Sequence, residues 1–261
     1  MHLFYDETGT ENDQTIIFLH AEGLSGWMWD QQREYFKDYH CIIPDLPEHG
    51  RNNGVKPFTI QGAAEMVMDI IREQADGRAN LVGISLGAQI IVQILSKAPK
   101  IVDHALISGT YVRSISNNEP ISKLLNQIIN VYGPVKNTDF FIKAYMRMYN
   151  MPKTYFEKFK ESTHQIDDHS IERILKQNIY FKLPKSIGEA DAKLLVMAGE
   201  KDYDIIKESS RNIVNKCPNA RGALALKTGH LWNLESSNNF NTILMSWFNN
   251  DPIPETMISE L

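Results

Sequence analysis

Ser85, Asp202 and His230 are the residues whose types and settings could together do chemistry. Ser85 lies between two glycines in NLVGISLGAQ (80–89), where an apolar strand-like run ends and Ile90, Ile91, Ile94 and Leu95 recur at helical spacing. A serine on such a turn serves either as a helix N-cap or as a nucleophile presented at the C-terminal edge of a sheet. Gly83 and Gly87 favour the second use, because they permit close backbone approach around a strained residue. The helix that follows aims N–H groups and the positive end of its dipole at the same place, where a developing oxyanion would be stabilised.

A serine hydroxyl needs a base. His230, in LKTGHLWNLE, follows a strand-like run and so falls on a loop at the sheet edge that carries Ser85. His2, His40, His104, His164 and His169 have no such setting and read as surface or capping residues. A carboxylate should orient the imidazole and stabilise its protonated form. KLLVMAGEKDYD offers Asp202, just beyond the glycine that ends a strand. Asp204 competes, or caps a helix starting near Ile205, while Glu200 lies closer to the strand. Two backbone donors should hold the oxyanion: Leu86, directly after the nucleophile, and Glu22 (Ala21 is the alternative) in FLHAEGLSGWMWD.

These residues need a scaffold that brings three loops to one edge. TIIFL (15–19), CIIP (41–44), NLVG (80–83), HALIS (104–108), KLLVMAG (193–199) and GALALK (222–227) read as strands, several of them apolar on both faces. Helical patterns at 60–75 and 88–97 separate them. Strands alternating with helices predict an α/β fold with a mostly parallel sheet. The rhythm breaks over 111–185, where Leu124, Leu125, Ile128 and Ile129, then Phe140, Phe141, Ala144, Tyr145 and Met148, follow helical spacing. The division expected is a core of 1–110 and 186–261 with a helical cap inserted at 111–185.

The 261 residues, 43% hydrophobic, suffice for one substantial core. A net charge of -5 without a long basic run argues against nucleic acid as a partner. No apolar stretch approaches the ~20 residues of a membrane span, and MHLFYDETG lacks the pattern of a secretory signal. Two cysteines, Cys41 and Cys217, suit neither a disulfide framework nor a metal cluster and read as reduced packing residues. A soluble, cytoplasmic protein without metal or organic cofactor is expected.

The chain resembles the α/β-hydrolase superfamily over nearly its whole length. GISLG (83–87) looks like the nucleophile elbow and FLHAEG (18–23) like the His-Gly oxyanion loop. PDLPEHGRN (44–52) is similar to the Asp-x-Pro-Gly-His-Gly-x-Ser segment, AGEKD (198–202) to the acid loop, and TGHLWNLESSNNF (228–240) to the histidine loop and its helix. Ala21 and Glu48 stand where the family has glycine, Asn52 where serine is common, and Ala88 where a second glycine is usual. By the resemblance, LFYDETG is the family's second strand, with the first missing or rudimentary, and His20 and His49 belong to structural hydrogen-bonding loops.

The resemblance implies a serine esterase acting on a small-molecule ester, with the cap covering the site. Trp27, Trp29, Tyr111, Phe140, Tyr145, Met146 and Trp232 are the pocket candidates. The fold hosts other chemistry. Dehalogenases and epoxide hydrolases use an aspartate where Ser85 stands. The menaquinone-pathway synthase resembles the chain but has an arginine where Gln89 stands. A triad-dependent carbon–carbon hydrolase or lyase would call for cationic pocket residues, for which Arg113, Arg147 and Arg173 are available. A non-catalytic small-ligand receptor could retain the same three residues.

Overall fold

The structure, a computed structural model, describes residues 2–112, 133 and 135–261. Among these, eight strands form one sheet in the order β1-β3-β2-β4-β5-β6-β7-β8. The centre is parallel: β2 (Thr15–Leu19), β3 (His40–Pro44), β4 (Ala79–Ile84), β5 (Val102–Ser108), β6 (Lys193–Gly199) and β7 (Ala220–Ala225). The edges, β1 (Tyr5–Thr8) and β8 (Ile258–Glu260), are antiparallel to their neighbours.

The apolar runs form strands because both their faces are covered. Alternate residues of β2 point into two separate cores: Ile17 and Leu19 into one, Ile16 and Phe18 into the other. The first core is closed by α2 (Ile60–Gln74) and α3 (Leu86–Lys97), with Ile60, Val67, Ile71, Ile90, Ile91 and Ile94 buried on the sheet. The second is rich in aromatic rings and lies beside α1 (Asp30–Tyr35), whose following residue, Phe36, is buried in it. Trp29 packs at 5.1 Å from Phe18 and 5.7 Å from Phe240, and Trp232 at 4.6 Å from Phe240. Thr59 starts α2 by accepting a hydrogen bond from the Gly62 N–H. The strand expected at 222–227 lies two residues earlier. Its pairing with β6 ends at Ala225, Leu226 N–H donates to the Met257 carbonyl, and Lys227 turns at φ 63°.

Between β5 and β6 the described residues build helices: α4 (Asp139–Met148), α5 (Phe156–Gln165) and α6 (Asp168–Ile179), with 3-10 turns beside them. Thr138 and Asp167 cap α4 and α6. Leu124, Leu125, Ile128, Ile129 and Arg113 lie outside the described residues.

This helical layer is fastened to the loops beneath it. The Arg173 guanidinium of α6 grips the fully buried Glu48 carboxylate, with Nη2 donating to Oε1 at 2.6 Å and Nε donating to both oxygens at 3.1 and 3.2 Å. Trp27 Nε1 donates to Ser162 Oγ at 2.8 Å, and Lys158 pairs with Asp30. No described helix is long and apolar enough to cross a membrane, and no described group of three His, Cys, Asp or Glu could hold a metal ion. Both cysteines are free and buried, and burial pushes the thiols up to about 12 for Cys41 and about 11 for Cys217.

Candidate active site

Ser85 occupies the turn from β4 into α3 at φ 55° and ψ -112°, a backbone conformation that L-residues rarely adopt. Its N–H donates to the Ser108 carbonyl at 2.9 Å. Its hydroxyl makes no capping bond to α3, and among the described residues it has no hydrogen-bond partner. The N-cap use of this serine is therefore not the one adopted. The flanking glycines are required by contact. A Cβ on Gly83 would lie 2.7 Å from the Gly87 carbonyl carbon, and one on Gly87 would press into the backbone of Leu19.

Asp202 and His230 meet above the ends of β6 and β7. The Asp202 carboxylate lies 2.9 and 3.1 Å from His230 Nδ1, which donates to it and so leaves Nε2 free to accept a proton. Asp202 is buried while the His230 ring keeps some exposure. The two loops are locked together, since Lys201 N–H donates to the Thr228 carbonyl at 2.9 Å, and Gly199 leaves room for the backbone of Gly229. The ring lies over Gly109, just past β5, where a Cβ would be 2.7 Å from Cε1. Asp204 is the first residue of α7 (Asp204–Val214), with its side chain in solvent, and Glu200 accepts the Lys227 N–H. Neither is directed at the imidazole.

The loop expected to supply an oxyanion donor follows β2. Ala21 N–H is engaged with the Met28 sulfur at 3.2 Å, whereas Glu22 N–H and Leu86 N–H have no acceptor among the described residues. His20 holds the loop in place. Its Nε2 accepts from Leu46 N–H at 2.8 Å, so its Nδ1 is the nitrogen that donates to the Ala21 carbonyl. His49 packs edge-on against it at 4.9 Å, and burial, then the nearby His20, lower its pKa to about 3.

Two side chains at the site were not singled out by their chemistry. Tyr149, which follows α4, lies 5.9 Å from the His230 ring, and burial first, then the charges of Glu22, Tyr203 and Asp202, push its hydroxyl up to about 12. The half-buried Glu22 carboxylate accepts from the Asn178 amide, and its pKa is raised by burial against the pull of that hydrogen bond and of His230. Nothing in sequence spacing marks either residue. The order His-Ala-Glu could have flagged Glu22, since its side chain leaves the same Cα as the donor N–H.

The pocket candidates scatter. Tyr145 lines a cavity with Glu22, Gly23, Phe159 and α6 isoleucines. Trp29 and Trp232 are fully buried in the aromatic core, where Trp232 Nε1 donates to Ser108 Oγ. Met146 packs in the same cluster. Trp27 stacks on Tyr155 at 5.2 Å, and Phe140, 84% exposed, faces solvent. Tyr111 contributes its carbonyl, which accepts from Gln89 Nε2 at 2.8 Å. Of the arginines considered for anion binding, Arg173 is taken by Glu48 and Arg147 is exposed.

A strand–serine–helix turn, a loop after β2 that leaves a backbone N–H free among the described residues, and a carboxylate–histidine pair after β6 and β7 are the arrangement of an α/β-hydrolase. Residues 16–241 match the model of the alpha/beta hydrolase family, and the chain belongs to that family. It is 27% identical over 141 residues to an AB hydrolase superfamily protein of Gibberella zeae, covering 53% of this chain and 48% of that one, so it spans about half the length of that relative. It is 24% identical to Lipase 3 of Moraxella sp., covering 88% and 75% of the two chains. A thermophilic esterase from Thermogutta terrifontis shares the fold at a TM-score of 0.77 and 16% identity, over 95% and 93% of the two chains. The protein is a hydrolase of this fold.

Proposed function

We propose that the protein is a serine carboxylesterase. The observation that carries the reading is Ser85, held at a backbone conformation that costs about 1–3 kcal/mol while its hydroxyl does no structural work. In the reaction, Ser85 Oγ attacks the ester carbonyl carbon as His230 Nε2 takes its proton. Asp202 stabilises the resulting imidazolium. The N–H groups of Leu86 and Glu22 hold the oxyanion, the former with the dipole of α3 behind it. Collapse of the tetrahedral species breaks the ester C–O bond, and His230 returns the proton to the leaving alcohol. Water, deprotonated by His230, then attacks the acyl-enzyme and releases the acid and Ser85.

Gln89 supports the esterase over a synthase taking a polyanion. Its amide donates to Tyr111 and Asn178, joining core to cap with no positive charge.

The test is hydrolysis of p-nitrophenyl esters of increasing acyl length, wild type beside Ser85→Ala. Turnover falling at least about 10³-fold in the variant, with a fluorophosphonate labelling Ser85 in the wild type, is the expected result. Equal rates in the two proteins would overturn the assignment.

A further inference from the structure

The cavity lined by Glu22 has an unusual balance. It measures about 60 Å³, well below the ~300–1,000 Å³ of a site for a drug-sized ligand, so it takes only a few heavy atoms. Phe159 and Tyr145 of the cap, with Ile171, Ile174 and Leu175 of α6, make most of its wall. Among the described residues the one carboxylate in that wall is Glu22, whose backbone N–H is the proposed oxyanion donor. Its side chain therefore starts one Cα away from where a substrate carbonyl oxygen would sit.

Among the described residues, no lysine or arginine pairs with Glu22. Its hydrogen-bond partner is the Asn178 amide, itself held by Gln89, whose Nε2 donates to Asn178 Oδ1 at 3.0 Å. A half-buried carboxylate whose nearest described cationic partner is the His230 ring, already engaged by Asp202, is costly. Beside an oxyanion it is costlier still, because like charges repel more strongly where water is scarce. A neutral apolar acyl chain would be served better by leucine or phenylalanine at position 22. A substrate that brings its own positive charge relieves both costs at once.

We propose that Glu22 is a specificity-determining residue that selects esters carrying an ammonium group a few bonds from the carbonyl. The proposal rests on the esterase reading and narrows its substrate class. The cation forms an ion pair with the Glu22 carboxylate at the cavity mouth, while the short alkyl segment lies against Phe159 and the α6 isoleucines. Anionic substrates are rejected by the same charge.

The experiment uses pairs matched in shape. For a charge on the acyl side, ethyl 3-aminopropanoate is compared with ethyl butanoate. For a charge on the alcohol side, 2-(dimethylamino)ethyl acetate is compared with 3-methylbutyl acetate. Rates are followed at pH 7 by pH-stat for wild type and Glu22→Gln, which keeps the backbone N–H. In at least one pair the wild type should favour the cationic ester at least tenfold in kcat/KM, chiefly through KM, and the pair that responds identifies the side. In Glu22→Gln that preference should collapse to within about threefold. Should Glu22→Gln fail to fold, Glu22→Ala carries the same comparison.

Preference for the neutral ester in both pairs overturns the proposal. So does a preference that survives the substitution. An equal loss of kcat on cationic and neutral esters also overturns it, and assigns the carboxylate instead to stabilising the His230 imidazolium. Absence of turnover on every ester would sink the esterase reading alone. Calorimetric binding to Ser85→Ala then decides the Glu22 site: propylammonium binding more tightly than 1-propanol, with the difference lost in Ser85→Ala/Glu22→Gln, upholds it, and equal binding removes it.

Discussion

Replacing Arg173 by alanine should damage the fold more than removing both members of its pair with Glu48. Glu48 is fully buried at φ 63°, in the left-handed region that favours glycine, and Arg173 covers its carboxylate with three hydrogen bonds while keeping about a third of its own surface in water. Deleting the arginine strands a buried carboxylate, at a cost of about 3–5 kcal/mol for a fully enclosed pair. Because the guanidinium is partly exposed and water can enter behind it, the lower end, about 3 kcal/mol, is expected. The double variant Glu48→Gly/Arg173→Ala strands no charge and also relieves the left-handed strain, worth about 1 kcal/mol. It should lie within about 1 kcal/mol of wild type. At about 2–4 °C per kcal/mol for a chain of this size, Arg173→Ala should melt about 6–12 °C below wild type and the double variant within about 4 °C of it. Urea denaturation followed by tryptophan fluorescence, with calorimetry alongside, reads both. If the double variant is as unstable as Arg173→Ala, the stranded charge is not the source of the loss.

The acid assignment is tested by Asp202→Asn and Asp204→Asn. The first should cut kcat by up to about 10⁴-fold, the second should stay within twofold, and the reverse pattern would move the acid to Asp204. His49, lowered to about 3 in the folded protein against about 6.5 when unfolded, makes stability pH-dependent. Between those values the unfolded chain binds a proton that the folded one does not, so stability present above pH 6.5 is lost as pH falls, by about 1.4 kcal/mol per unit. Unfolding free energies measured from pH 7.5 to 5 should show a slope about one proton smaller in His49→Asn, and identical slopes would refute the assignment.

β2, β3, β4, β5 and β6 were legible because each is a short apolar run with most of its residues buried, whereas β7 is only half-covered and starts two residues before the run read for it. The placing of Ser85, Asp202 and His230 at one sheet edge was legible because each follows a strand end, and strand ends of a parallel sheet share one edge. The directions in which the aromatic and methionine side chains point were not. In α4 the apolar residues fall on two faces, so spacing shows that Phe140 and Met146 belong to a helix without saying which turns inward. Trp29 and Trp232 neighbour the matched segments in sequence, yet their rings are drawn to Phe18 and Phe240 in the core. Glu22 was read through its backbone alone, since which wall its carboxylate joins depends on cap residues more than a hundred positions away.

The contact between Gly87 and Leu19 has a consequence for how such a site can change over generations. Leu19 is paired with Gly83 across β2 and β4, touches Gly87 at the start of α3, and directly precedes the loop that carries Glu22. The spacing between the two proposed oxyanion donors thus rests on main chain against main chain in neighbouring strands, with the His20 side chain holding the loop beyond. Apart from Asn178, which bonds the Glu22 carboxylate, the cavity side chains stand away from these main-chain contacts. They are free to drift toward new substrates, one replacement at a time, without resetting the geometry on which turnover depends.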